Sequence, residues 1–348
     1  MKLLVITQKV DKNDPILGFF HRWLEGFAKN VEKLTVICLE KGEYELPENV
    51  KVLSLGKEGG RSRIKYLFNF YRYIWRERKN YDAVFVHMNP EYVILGWADW
   101  KILGKKIALW YVHKYVSLKL RIAKKLADEI FTASRESFRL PSKKISILGH
   151  GIDTEFFKPD LLAKSKDVFR ILSVSRISRT KNIEKMILVV AELKKITQQH
   201  KSAELAIVGS PVTAEDEKYL EKIKKTAEDL NLGGIVNFLG AKTQDEALRE
   251  YQKSNLFLNF SSTGSLDKAV LEAMSSGVNI LTSNEAFFEM LPKENIIKHD
   301  ADASAIVQKI IYLMNVESSR DTEIFRQIAV KNHDLKNLVP NIIKRLEN

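Results

Sequence analysis

Two series of strand-like apolar runs, each alternating with stretches of helical period, fill this chain, and between them lies a segment in which neither period survives. The first series falls near 2–7, 33–39, 50–54, 82–87, 106–112 and 128–132, and the second near 169–175, 204–209, 235–239, 256–260, 278–282 and 295–297. Strand and helix in alternation predict parallel sheets, because parallel neighbours need a crossover and the helix that makes it covers the sheet. The expected fold class is therefore α/β, with two parallel-sheet domains. The interruption, Gly149-His150-Gly151-Ile152-Asp153-Thr154-Glu155-Phe156-Phe157-Lys158-Pro159, crowds two glycines and a proline into a turn-rich stretch. It puts the junction near residue 165, with domains 1–165 and 166–330 and a closing helix, 331–348, able to pack back on the first domain. At 348 residues the chain can bury two cores. Helical patterns at 301–314, 320–332 and 335–346 end it, and Pro340 predicts a kink or break in the last.

Charge divides the same way. Residues 1–150 hold 28 Lys and Arg against 16 Asp and Glu, whereas 151–348 hold 28 of each, so the whole net charge of +12 belongs to the first half. Such a half suits an anionic membrane, an acidic substrate or nucleic acid; none of the usual nucleic-acid recognition motifs occurs, so nucleic acid is not an expected partner. No stretch reaches the roughly 20 apolar residues that span a bilayer, and the most apolar window, Tyr92 to Val112, is broken by Asp99, Lys101, Lys105 and Lys106. The N-terminus, Met1-Lys2-Leu3-Leu4-Val5-Ile6-Thr7, reads as a first strand rather than a signal peptide. A single cysteine, Cys38, excludes a disulfide framework and fits a reducing compartment. The expectation is a cytoplasmic protein, peripheral at most to the inner face of the membrane.

One stretch of the first half is basic, aromatic and helical in period: Arg61 to Lys79. Its spacing turns Leu67, Phe70, Tyr71 and Ile74 to the core. Read blandly, it is a half-buried helix with snorkelling cations; read more sharply, it is a helix that lies on anionic lipid.

Chemistry-bearing residues gather where parallel strands end, the place where α/β sheets bind ligands. His87 closes one predicted strand and His113 follows another, an arrangement expected to bring both into one crevice. The loop after the first strand ends in Gly18, just inside the next helix, where backbone can approach a substrate closely. In the second half, the strand ending Ser173-Val174-Ser175 feeds a loop with Arg176, Arg179 and Lys181. A guanidinium fork and a mobile ammonium together suit two phosphates. The run Leu256-Phe257-Leu258-Asn259-Phe260 leads through Ser261-Ser262-Thr263-Gly264-Ser265-Leu266 to a short helix closed by Gly277. A helix N-terminus offers amide donors and a positive dipole end to an anion. There Asp267 can cap, Lys268 adds a cation, and Glu272 lies one turn inside, placed to accept from a pair of hydroxyls. No G-x-x-x-x-G-K-[ST] loop is present and no G-x-G-x-x-G follows the first strand, which removes the usual support for an ATPase or a dinucleotide oxidoreductase. Asp300 and Asp302 could pair on a metal but stand where a helix starts, so capping is the expected role and no metal ligand is assigned.

Together these passages resemble the retaining glycosyltransferases of family 4, most strongly from Gly149 to Ser283. The resemblance implies a GT-B fold, two Rossmann-like domains facing across a cleft. It makes Gly149-His150-Gly151-Ile152-Asp153 with Phe157 and Pro159 the interdomain segment, in which His150 stands where asparagine is common. It makes Arg176 and Lys181 the cation pair on the donor diphosphate, and Val208-Gly209-Ser210 a loop beside the nucleotide. Glu272-Ala273-Met274 with Gly277 matches the second half of a paired-glutamate motif whose second glutamate binds the ribose. His113 corresponds to the histidine beside the reacting sugar. The first glutamate of that pair should stand at residue 264, which here is glycine; Gly264-Ser265-Leu266-Asp267-Lys268 is similar to a variant in which Asp267 and Lys268 take over sugar or phosphate contacts.

The resemblance implies catalytic roles for His113, Arg176, Lys181 and Asp267. Donor contacts fall to Gly209, Thr263, Gly264, Ser265, Leu266, Lys268 and Glu272, and Gly18, His87 and His150 are candidates for the acceptor side. The substrate it implies is a nucleoside-diphosphate sugar, UDP- or GDP-linked, with no separate cofactor and no metal. The acceptor would be a saccharide or lipid-linked molecule, as in surface polysaccharide synthesis. The competing expectation is a protein of the same fold that binds a sugar nucleotide or a membrane without turnover.

Overall fold

The structure is a computed structural model that describes residues 1–60, 62–160, 162–165, 167–196, 202–315 and 319–348; Arg61 and Lys166, which the sequence analysis used as boundaries, lie outside the described residues. The chain divides into two compact units, Met1–Asp153 with His333–Asn348, and Thr154–Asn332.

In the first unit the elements run β1 (Lys2–Val10), α1 (Phe19–Asn30), β2 (Lys33–Lys41), β3 (Val50–Ser54), α2 (Arg63–Arg76), β4 (Ala83–His87), α3 (Pro90–Ile102), β5 (Lys106–Trp110), α4 (Leu118–Leu126), β6 (Glu129–Thr132) and β7 (Ile145–Ile147). The seven strands are parallel, in the order β3-β2-β1-β4-β5-β6-β7. β1 and β4 are buried on both faces, which is why they read as unbroken apolar runs rather than alternating ones. Helices α2, α3 and α4 share one core with one face of the sheet through residues such as Phe70, Ile74, Trp100 and Leu120. Elsewhere Trp23 and Phe27 of α1 pack tilted against Phe85 of β4, and Trp23 also meets Trp110 of β5 edge-on.

The second unit runs β8 (Val168–Val174), α5 (Ile183–Ile196), β9 (Ser202–Val208), α6 (Ala214–Asp229), β10 (Val236–Gly240), α7 (Gln244–Lys253), β11 (Leu256–Asn259), α8 (Lys268–Ser275), β12 (Asn279–Thr282), α9 (Ala303–Asn315) and α10 (Ser319–His333). Its five strands are again parallel, ordered β10-β9-β8-β11-β12. Capping boxes start α6 and α7, where Thr213 with Asp216 and Thr243 with Glu246 satisfy each other's orphan amides.

The last helix, α11 (Leu335–Glu347), belongs to the first unit and packs on α1, with Val339 and Leu335 against Gly26. It continues through Pro340, so the break expected there does not occur. A mid-helix proline costs about 3 kcal/mol, but Leu335, Leu338, Val339, Ile342, Ile343 and Leu346 are buried, and each contributes about 1.5–3 kcal/mol. Burial outweighs the lost amide.

Other expectations shift. The division between units falls after Asp153 rather than near residue 165, because Ile152 bridges to the start of α11: its amide donates to the His333 carbonyl and its carbonyl accepts from Leu335. β7 escaped sequence reading because three residues are too few to show a period; its pairing with β6 makes it a strand. Residues 295–297 are not a strand. A 3-10 turn at Lys293–Asn295 is held by Asn295, whose side-chain amide donates to Ile280 O and Asn279 Oδ1, and only Ile296 bridges to β12.

In α2 the core face is Asn69, Phe70, Tyr73 and Ile74. Leu67, expected to point inward, is 42 % exposed, and Tyr71 is only partly buried. The helix is rotated from the expected face because Tyr73 and Asn69, both amphipathic or polar, go inward, the latter donating to Leu55 O at 2.9 Å.

Candidate functional site

The second sheet reverses its winding between β8 and β11, so the loops that leave these neighbouring strands flank a topological switch point. The loop after β8 carries Arg176 and Lys181, and the loop after β11 runs from Phe260 to Asp267 at the start of α8. Backbone stitches them together: the Ser262 amide donates to Thr180 O at 3.0 Å. Asn182, held at φ +50°, donates its side-chain amide to Phe260 O at 2.9 Å. A short polar side chain is what tolerates that left-handed conformation.

Lys181 Nζ lies 2.9 Å from Asp267 Oδ1 and 3.2 Å from Ser261 Oγ. The other Asp267 oxygen accepts from Asn259 Nδ2 at 2.9 Å and from Asn284 Nδ2 at 3.4 Å. Asp267 thus stands at the N-cap position of α8, yet its side chain makes no capping bond there, contrary to expectation; a full positive charge and two amides outcompete the helix's own N–H groups. Thr263 and Ser261 share a hydroxyl bond of 2.9 Å. Gly264 adopts φ +60°, a conformation that favours glycine and explains its presence where a glutamate was expected. Ser265 and Leu266 are buried, with the Ser265 carbonyl held by Asn284 Nδ2 at 2.8 Å.

One turn into α8, Glu272 is 5 % exposed. Oε2 accepts from the Tyr251 hydroxyl at 2.9 Å, and Oε1 pairs with Lys268 Nζ. Burial first, and the Glu272 carboxylate second, push the Tyr251 hydroxyl well above its ordinary range, so it stays a donor. The far end of α8 is clasped by Arg326, whose Nη1 donates to Ser275 O at 2.5 Å and Phe157 O at 3.2 Å, a cation on a helix C-terminus. Phe157 in turn meets the Tyr251 ring edge-on at 5.9 Å.

Arg176 does not join this network directly. It is half exposed, and its Nε lies 3.9 Å from Asp216 Oδ2 in the capping box of α6. Convergence of Arg176, Lys181 and the bend before α8 therefore holds for the last two, while the exposed guanidinium leans to the next helix. Gly209 has a clear reason: at φ +142° a Cβ would sit 1.8 Å from Ser175 O, so only glycine lets the loops after β8 and β9 approach.

In the first unit the two histidines part company. His87 is buried, stacked on Phe20 at 4.0 Å, and its Nδ1 lies 3.3 Å from Thr7 Oγ1. Burial, with like-charge repulsion from His150, lowers its pKa to about 3, so it is neutral and packed rather than presented to a crevice. The aromatic ring of α1 that covers it was not legible from spacing. His113 is exposed, and its Nδ1 accepts from the Tyr115 amide at 3.0 Å, which leaves Nε2 as the protonated nitrogen of the neutral ring. His150 is buried in the segment where Gly151, at φ +74°, gives its carbonyl to Trp23 Nε1 at 3.0 Å. Gly18 is the N-cap of α1 rather than a residue inside it. A Cβ there would meet Asp14 O at 2.4 Å, so its close backbone approach is to its own loop.

Sequence reasoning missed Tyr251, Asn259 and Asn284. Tyr251 reads as a core position of α7, and only the fold sets it beside Glu272. The asparagines had a faint signal, each being a polar residue at or just past the carboxyl end of an apolar strand. Asp302 caps α9 through Ala305 N at 2.7 Å, the role expected of it. Among the described residues no three His, Cys, Asp or Glu side chains gather as a metal-binding group, and no helix is long and apolar enough to cross a membrane.

Compared with known proteins, residues 154–329 match the family model described as Glycosyl transferases group 1. The alpha-monoglucosyldiacylglycerol synthase of Streptococcus pneumoniae is 24% identical over 168 residues, 47% of this chain and 36% of that protein. The amylovoran biosynthesis glycosyltransferase AmsK of Erwinia amylovora is 28% identical over 188 residues, 51% of this chain and 44% of that protein. The chain thus spans less than half the length of either relative in the match. Among solved structures, Anabaena Alr3699/HepE in complex with UDP superposes with a TM-score of 0.77 at 16% identity, covering 100% of both chains. That likeness establishes the fold as GT-B.

Proposed function

This chain belongs to the family of glycosyl transferases group 1, and on that premise we propose that it moves a sugar, with retention of anomeric configuration and without a metal, from a nucleoside-diphosphate sugar to a saccharide or lipid-linked acceptor. The observation that carries this reading is the Lys181–Asp267–Ser261 network, which fixes an ammonium between two loops at the switch point of the sheet. The UDP named with the structural neighbour fits the donor class, and a relative named as a synthase of monoglucosyldiacylglycerol, a lipid carrying a sugar, is in keeping with a lipid-linked acceptor.

Breaking the sugar–phosphate bond builds negative charge on the diphosphate. Lys181, held by Asp267, and the N-terminus of α8 would meet it without reorganising, which is where preorganised electrostatics act. Arg176, half exposed and 3.9 Å from Asp216, would turn to the far phosphate. Glu272, steadied by Tyr251 and Lys268, would accept from the ribose hydroxyls. Asp267 and Lys268, beside Gly264, would take the sugar contacts that a glutamate at 264 would otherwise make. For retention, the acceptor hydroxyl attacks on the face the phosphate leaves and gives its proton to that phosphate, with His113 orienting groups by hydrogen bond.

Turnover of UDP-, GDP- and ADP-sugars, followed by nucleoside-diphosphate release with and without chelator and by the anomeric configuration of the product, tests each element. A donor that raises the melting temperature with no product on any acceptor would favour the alternative, a binding protein of the same fold, which Gly264 in place of the glutamate supports.

A further inference from the structure

The layer made by α2, α3 and α4 covers one face of the first sheet, and its outward side is not the polar surface such a layer normally presents. Ile64 is 84 % exposed, Phe68 65 %, Leu67 42 % and Trp75 41 %. With Tyr71 and Arg72 they line an open groove of about 540 Å³ on α2. Ile102 of α3 (76 % exposed) and Leu118 of α4 (73 %) are further bare side chains of the same layer. Of the α2 four, only Leu67 was expected to face the core, and it does not.

The charge around them is mostly positive; the acids that α3 brings are engaged, Asp99 accepting from Trp75 Nε1 at 2.7 Å and Glu91 pairing with Lys119. From Ser62 to Lys79 there are six Lys and Arg and one acid, Glu77, which is 2 % exposed and paired with Lys51 and Arg76. From Lys114 to Lys125 there are five cations and no acid. Arg72 lies over the Phe68 and Tyr73 rings at 5.9 and 5.0 Å, so cations flank the apolar groove. A second copy of this chain would bring the same excess of positive charge to the contact and be repelled. An anionic bilayer answers both features: apolar side chains enter the acyl boundary while guanidinium and ammonium groups meet headgroup phosphates.

We propose that the outer side of the α2–α3–α4 layer docks on an anionic lipid bilayer, with Ile64, Phe68 and Trp75 inserted and Arg63, Lys65 and Arg72 against the phosphates. The attachment is interfacial and goes beyond the transferase reading, on which it does not depend. It would hold the first unit where a lipid-borne acceptor is presented.

The test is co-flotation of the full chain with vesicles of phosphatidylcholine alone or mixed with phosphatidylglycerol. The protein is expected to float with the mixed vesicles only, less so as salt rises. Ile64→Ser with Phe68→Ser, and separately Arg72→Glu, each lower the bound fraction by about tenfold with the melting temperature unchanged, since these side chains lie outside the core. Brominated acyl chains quench a tryptophan signal that Trp75→Phe removes. Absence of flotation at low salt, or flotation indifferent to these substitutions, overturns the proposal, whatever the outcome of the sugar-transfer assays. A dimer in gel filtration that Phe68→Ser dissolves would assign the face to a second copy and overturn it equally.

Discussion

The Tyr251 hydroxyl donates to Glu272 Oε2 across 2.9 Å, tying α7 to α8 where Tyr251 is fully buried and Glu272 keeps 5 % exposure. Lys268 takes the other carboxylate oxygen from within the helix. The carboxylate is therefore aimed before any ligand arrives. A group so held loses little freedom on binding, and its partners become part of whatever it recognises.

Tyr251→Phe removes that aim while keeping the ring that packs on Phe157. If Glu272 holds the ribose equally in ground and transition states, the donor KM rises about tenfold or more with kcat little changed, since a hydrogen bond to a charged group is worth about 1.5–3 kcal/mol. A donor lacking the ribose 2′-hydroxyl should show a smaller difference between wild type and variant. Steady-state kinetics with both donors checks this.

Lys181→Ala is expected to lower kcat/KM by about a hundredfold to a thousandfold, the usual loss on deleting a preorganised charge. Arg176→Ala, at an exposed side chain, should lose less, about tenfold. Equal activity of both variants and wild type would remove the basis of the transferase reading.

Gly209→Ala sets a methyl group 1.8 Å from Ser175 O at φ +142°. The loops after β8 and β9 must separate or the backbone must strain, at a cost of about 3 kcal/mol or more. The melting temperature should fall by about 10 °C, and calorimetry would read the change directly.

Acidification should destabilise the first unit. Burial holds His87 at a pKa of about 3 and His333 at about 4 in the folded chain, below the ordinary value of 6.5. Above 6.5 both states are neutral and nothing is lost. As pH falls from 6.5 toward those values the unfolded chain takes up protons that the folded chain refuses, and each histidine costs stability at about 1.4 kcal/mol per pH unit. His87→Phe, which keeps a ring against Phe20, should flatten the dependence of melting temperature on pH between 6.5 and 5; an unchanged slope would refute the assignment.

Most strands and helices were legible because buried parallel strands announce themselves as apolar runs and their crossovers as amphipathic periods. Where reading failed, the deciding contact was distant in sequence. β7 exists because β6 pairs with it, α11 survives Pro340 because α1 receives its apolar face, and His87 is buried because Phe20 stacks on it. Leu67 left the core and Tyr71 stayed at its margin, because Asn69 and Tyr73 turn inward, Asn69 donating to Leu55 O.

By itself the amino-acid order determined the α/β class, the two sheets, the break between Gly149 and Pro159, and the loops at which the candidate site residues collect, since each follows from local period or composition. Only tertiary structure decided which charges meet. It joined Lys181 to Asp267 but turned Arg176 to Asp216, set Tyr251 against Glu272, and left Ile64 and Phe68 bare beside Arg72. The reason is physical: period says which way a side chain faces on its own element, while pairing and burial depend on what the rest of the chain brings within a few ångströms of it.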